Sequence, residues 1–125
     1  MKVPQKMPFD FVVEQLYSRH PQVKPMFGAH GVYVDNKIVC ILRHKESYPN
    51  DNGIWIASPR ENHGELLKLI PVLRKIEMFA QNASDWLLIP AEDSDFEAYA
   101  NVFCEMVLQG DLRIGKISKA KFLKG

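Results

Sequence analysis

Hydrophobic residues recur at helical spacing from Phe9 through Val12, Val13, Leu16 and Tyr17, which predicts an amphipathic helix over about 8–19. Pro8 suits its first turn, where a missing N–H costs little, and Pro21 marks a stop beyond its end. From Gly31 the period falls to two, with Val32 and Val34 on one side and Tyr33 on the other. Asp35-Asn36-Lys37 supplies turn chemistry before the apolar run 38–42, so a β-hairpin is predicted over about 31–43. The stretch 45–53 holds Glu46, Ser47, Pro49, Asn50, Asp51 and Asn52 and reads as a surface loop. Ile54-Trp55-Ile56-Ala57 then resumes as a strand.

Ser58 and Glu61 have the spacing of a capping box, with Pro59 where helices start well, which predicts a helix over about 59–70, weakened by Gly64 and ended by Pro71. The segment 72–79 fits a further helical turn and a strand equally. Trp86-Leu87-Leu88-Ile89 is a strand ended by Pro90. The clearest helix spans about 94–109: Ser94 and Glu97 form a second capping box, Phe96, Tyr99, Ala100, Phe103 and Val107 form one apolar stripe, and Gly110 supplies the stop. Strands arrive as hairpin neighbours followed by helices. The order favours an α+β domain, an antiparallel sheet of about four to five strands with helices packed on one face.

Length and composition agree with that reading. The chain of 125 residues is one domain's worth, with 46% hydrophobic and 25% charged residues. An ordered core is expected over about 8–116, followed by a basic tail over 117–125. Sixteen basic against 15 acidic residues leave no domain-wide positive field for phosphate backbones, so composition argues against nucleic acid as the partner. The apolar runs are far shorter than the roughly 20 residues of a membrane span. Residues 1–8 lack the apolar stretch of a secretory signal, and a cytoplasmic location is expected.

Residues able to carry chemistry are few. Cys40 and Cys104 each sit in an apolar run without a C-x-x-C partner, the setting of inert buried thiols with raised pKa. His20, His30, His44 and His63 lack the spacing that presents two imidazoles to a metal, and no cofactor is expected. Glu92, Asp93, Asp95 and Glu97 cluster where a helix start favours negative charge. No nucleophile elbow, Walker loop or dinucleotide fingerprint is present, which lowers the prospect of catalysis without removing it. Two constellations remain. Met26, Phe27, Gly28, His30 and Gly31 form a bend before a strand, where glycine serves a tight fold or a ligand. Arg113 and Lys116 flank Gly115 and suit either an anion or pairing with surface carboxylates.

The run Met26-Phe27-Gly28-x-x-Gly31-Val32-Tyr33, following an amphipathic opening helix, resembles the N-terminal domain of the TfoX/Sxy family over about residues 8–56. The resemblance implies an α+β domain without a transferable catalytic set. The section from Leu73 to Lys116 departs from that pattern, and the second domain of full-length competence regulators has no counterpart in this chain. The leading expectation is a non-enzymatic regulatory or protein-interaction domain with an unidentified protein partner, a homo-oligomer also being compatible. The alternative is a small-molecule or anion-binding protein, or an enzyme, with a pocket near the Gly28–Gly31 bend that uses Arg113 or Lys116.

Overall fold

The computed structural model describes residues 7–117 apart from Gln81 and Ala83. Within them the helices are Phe11–Gln15 (α1), His63–Leu69 (α2) and Phe96–Leu108 (α3). The strands are Gln22–Met26 (β1), Ala29–Val34 (β2), Lys37–Arg43 (β3), Gly53–Ala57 (β4), Trp86–Pro90 (β5) and Lys116–Ile117 (β6). β1 to β5 pair in chain order, each antiparallel to the next, and β6 pairs antiparallel with the start of β3. The fold is therefore α+β, with six strands rather than four or five.

Side chains alternate along β4 and β5 and so build two separate cores. Ile54, Ile56, Leu87 and Ile89 face the helices, where Val12 and Leu16, Leu66 and Ile70, and Phe103, Cys104 and Val107 of α3 meet them. Trp55, Ala57 and Leu88 face the other way, against Tyr33, Ile41 and Ile76. With both faces covered, β4 is buried throughout, which is why its sequence is continuously apolar instead of alternating. The pairing of β2 with β3 slips between Val32 and Tyr33, leaving Val39 as an extra residue. This bulge lets Val39 and Cys40 both face the helices.

Helices cover one face only. Across the other runs an irregular strap over 74–80, which is neither the helical extension nor the paired strand that 72–79 allowed. Arg74 exchanges two backbone hydrogen bonds with Leu88 at the outer edge of β5, at 3.1 and 2.8 Å. A 3₁₀ turn at Glu77–Phe79 then lays Phe79 against Trp55. The strap is fastened from the β3–β4 loop. Asp51 is fully buried, and its carboxylate accepts the N–H groups of Glu77 and Met78 at 2.8 and 2.9 Å. Its backbone carbonyl accepts the Trp55 indole N–H at 2.8 Å. Arg43, 2% exposed, donates to the carbonyls of Ser47 and Tyr48 at 2.7 and 2.9 Å and to Asn52 Oδ1 at 3.0 Å. The polar stretch 45–53 is thus organised around buried groups, not a purely solvated loop.

Other local readings are corrected by tertiary context. The first helix is a short α-turn followed by a 3₁₀ turn at Tyr17–Arg19, bounded by positive φ at Phe9 (56°) and His20 (55°). Tyr17 is consequently exposed and not part of the apolar face. Ser58 caps nothing: it is buried beyond β4, where its N–H donates to the Asp85 carbonyl at 2.9 Å. Pro59 is extended (ψ 143°), so the helical region starts later, as a 3₁₀ turn at Arg60–Asn62 before α2. Ser94 likewise makes no side-chain cap to α3; Asp93 accepts the Asp95 N–H at 2.8 Å instead. The basic tail, apart from Ile117, lies outside the described residues.

Phe103 is completely buried between α3 and the sheet. Phe103→Ala is expected to cost about 3–5 kcal/mol through lost transfer energy and a residual cavity. Equilibrium denaturation measures this, and an unchanged midpoint would remove Phe103 from the core.

Candidate functional site

Met26 pairs with Ala29, so Phe27 and Gly28 are the two central residues of the β1–β2 hairpin. Their φ values are 53° and 74°, the double positive φ that a type I′ turn requires. Gly28 accommodates this without a Cβ, and Lys45 Nζ occupies the space a Cβ would need. Phe27 is the unusual member. A bulky side chain in the left-handed region costs about 1–2 kcal/mol, yet the residue is 73% exposed and gains little burial in return. Gly31, by contrast, lies inside β2, where a Cβ would stand 3.2 Å from Ile38 Cδ1.

The β3–β4 loop reaches the same end of the sheet, since Arg43 pairs with Gly53 and Lys45 touches Gly28. It presents Tyr48, also at positive φ (45°) and 53% exposed. His30 pairs with Leu42 beside this end and is half-buried. Its Nδ1 is enclosed and has no hydrogen-bond partner among the described residues. Sequence reasoning began the hairpin strand at Gly31 and so passed over β1, Lys45 and Tyr48. The available signal was Phe27-Gly28 itself, a two-residue turn with glycine second.

Arg113 and Lys116 sit at the opposite end. Lys116 pairs with Ile38, whereas His30 pairs with Leu42, and the length of β3 separates the two ends by about 20 Å. The structure therefore does not bring the Gly28–Gly31 bend together with either cation. Each is already engaged by a carboxylate. Arg113 donates to Asp111 at 2.6 and 2.9 Å and to Glu65 at 3.1 Å. Its hydrogen bonds hold the Asp111 carboxyl below its usual value and raise the guanidinium further. Lys116 and Arg60 share Asp85 at 3.1 and 3.3 Å. Burial alone would raise the Asp85 carboxyl, but the hydrogen bond from Lys116 and the charge of both cations bring it below its usual value.

Both thiols are buried, which pushes Cys40 well up and Cys104 up to about 12. Neither is a thiolate at neutral pH. His63 Nε2 donates to the Ser58 carbonyl at 2.9 Å, and among the described residues no three His, Cys, Asp or Glu side chains come together as a metal site. No helix of the described residues is long and apolar enough to cross a membrane. The chain has no significant match to a protein-family model, a curated protein or a solved structure.

The lowered carboxyls set a pH dependence. Asp111 has a folded value below the roughly 3.9 of an unfolded aspartate. Its contribution to stability is present above about pH 4 and is lost as pH falls through the folded value. Melting temperature measured down this range should therefore drop less steeply in Asp111→Asn than in the wild type, and parallel profiles would exclude the contribution.

Proposed function

We propose that this chain is a non-enzymatic regulatory domain that acts by protein interaction, similar in kind to the TfoX N-terminal domain, and that the hairpin end around Phe27 is its contact surface. The observation that carries this reading is Phe27 itself: an exposed phenyl ring on a backbone of φ 53°. Backbone strain persists where surrounding structure imposes it, and it concentrates at functional positions. Among the described residues little repays it, because Phe27 is mostly exposed. A partner that buries the ring would.

Tyr48 repeats the combination at the same end of the sheet, and Met26 and Lys45 lie directly beside the turn. Rigid aromatic side chains with few rotatable bonds are favourable anchors at protein interfaces. Burial of both thiols, and the engagement of Asp93 and Asp111 in local hydrogen bonds, support a binding role over catalysis.

Phe27→Asn separates function from folding, because Asn-Gly is the preferred pair for a type I′ turn. The variant is expected to melt at the same or a higher temperature than the wild type while losing the proteins that the immobilised wild-type domain retains from its native cell extract. Cross-links from the wild type should map to residues 26–28 and 45–48. Retention of the same partners by Phe27→Asn, or clear destabilisation, would contradict the proposal.

A further inference from the structure

The strap leaves part of the second sheet face open at the end where Ala57 pairs with Trp86. Two hollows of about 140 and 340 Å³ adjoin there, sharing Arg60, Phe79 and Trp86. His63 and Lys75 line the smaller one, and Asp85 and Lys116 line the larger, more open one. Together they reach the lower part of the roughly 300–1,000 Å³ range of small-molecule sites.

The lining combines two properties. Phe79 and Trp86 are half-buried, and both pack edge-on against the buried indole of Trp55, with centroids 5.5 and 6.3 Å away. Their rings are thereby fixed while each keeps surface in the cleft. Charge is unbalanced as well: Arg60, Lys75 and Lys116 face a single carboxylate, Asp85, which Arg60 and Lys116 share. Among the described residues Lys75 has no carboxylate partner. Positive charge is left over on the side away from Asp85, next to the aromatic surface.

We propose that this cleft binds a small ligand combining a planar aromatic ring with one anionic group, carboxylate or phosphate. The ring lies against Trp86 and Phe79, and the anion lies on Lys75 and Arg60. The inner hollow is lined by Arg60 and Lys75 and by no carboxylate among its described lining, whereas Asp85 lines the outer one, so the anionic group sits in the smaller, inner hollow. Fixed rings supply apolar and stacking contact without losing side-chain freedom on binding. Lys75 supplies a charge that no carboxylate among the described residues has to surrender. The site lies at the opposite end of the sheet from Phe27 and is independent of the hairpin surface.

Four probes test the class directly by NMR titration of the intact chain: benzoate, phenyl phosphate, benzyl alcohol as a ring without charge, and inorganic phosphate as charge without a ring. Benzoate or phenyl phosphate should give saturable shifts at the Trp86 indole N–H, and the stronger of the two identifies the anion. Both benzyl alcohol and inorganic phosphate should bind at least about tenfold more weakly. Lys75→Ala should weaken the better probe by about tenfold at unchanged melting temperature. This variant keeps the test clear of Trp86, whose loss would also disturb Trp55. Saturation absent at Trp86, equal binding of either half-probe, or indifference to Lys75→Ala would overturn the proposal.

Discussion

A buried carboxylate holds the second face of this sheet together. Removing a charge from water costs several kcal/mol unless hydrogen bonds replace its hydration, and Asp51 meets that condition with the amides of Glu77 and Met78. The same residue's carbonyl fixes the Trp55 indole. One residue therefore joins the β3–β4 loop, the interior strand β4 and the strap. Its position is set in turn by Arg43, whose buried guanidinium is wrapped by the carbonyls of Ser47 and Tyr48 and by Asn52. This arrangement works with the Arg74–Leu88 backbone pair to keep Ile76 and Phe79 on the sheet, where they cover Trp55 and Leu88.

Both proposed surfaces derive from that network. On the outer side of the loop, wrapping around Arg43 places Tyr48 at positive φ and brings Lys45 to Gly28, completing the hairpin end. On the inner side, fastening the strap sets Phe79 across from Trp86 and frames the basic cleft. The two surfaces stand at opposite ends of the sheet.

The parts legible in the sequence are those where local pattern and burial agree. Continuous apolar runs marked β3, β4 and β5 because both faces of the sheet are covered, and Asp35-Asn36 marked the β2–β3 turn because both residues adopt positive φ, 54° and 67°. The α3 stripe was legible because one side of that helix meets the sheet. Asp51 was not, because an aspartate in a polar stretch looks solvated and its partners lie 26 and 27 residues away. The serines at 58 and 94 have the right spacing for capping, but strand ends and a neighbouring aspartate satisfy the backbone first. β1 is nearly devoid of burial and exists through its hairpin, so its signal was the turn and not the strand. Of the ligand candidates Met26, Phe27, Gly28, His30, Arg113 and Lys116, only Lys116 reaches the cleft, since Arg60, the strap residues Lys75 and Phe79, and Trp86 come from three segments that tertiary folding alone assembles.

Native-state hydrogen exchange on wild type and Asp51→Asn tests the role of Asp51 most directly. The asparagine side chain keeps the shape of the carboxylate but offers only one acceptor oxygen for the two amides. The Glu77 and Met78 amides should be protected in the wild type and exchange about tenfold faster or more in the variant, while amides of α3 keep their protection. Equal protection of Glu77 and Met78 in both proteins would contradict the claim that Asp51 fastens the strap.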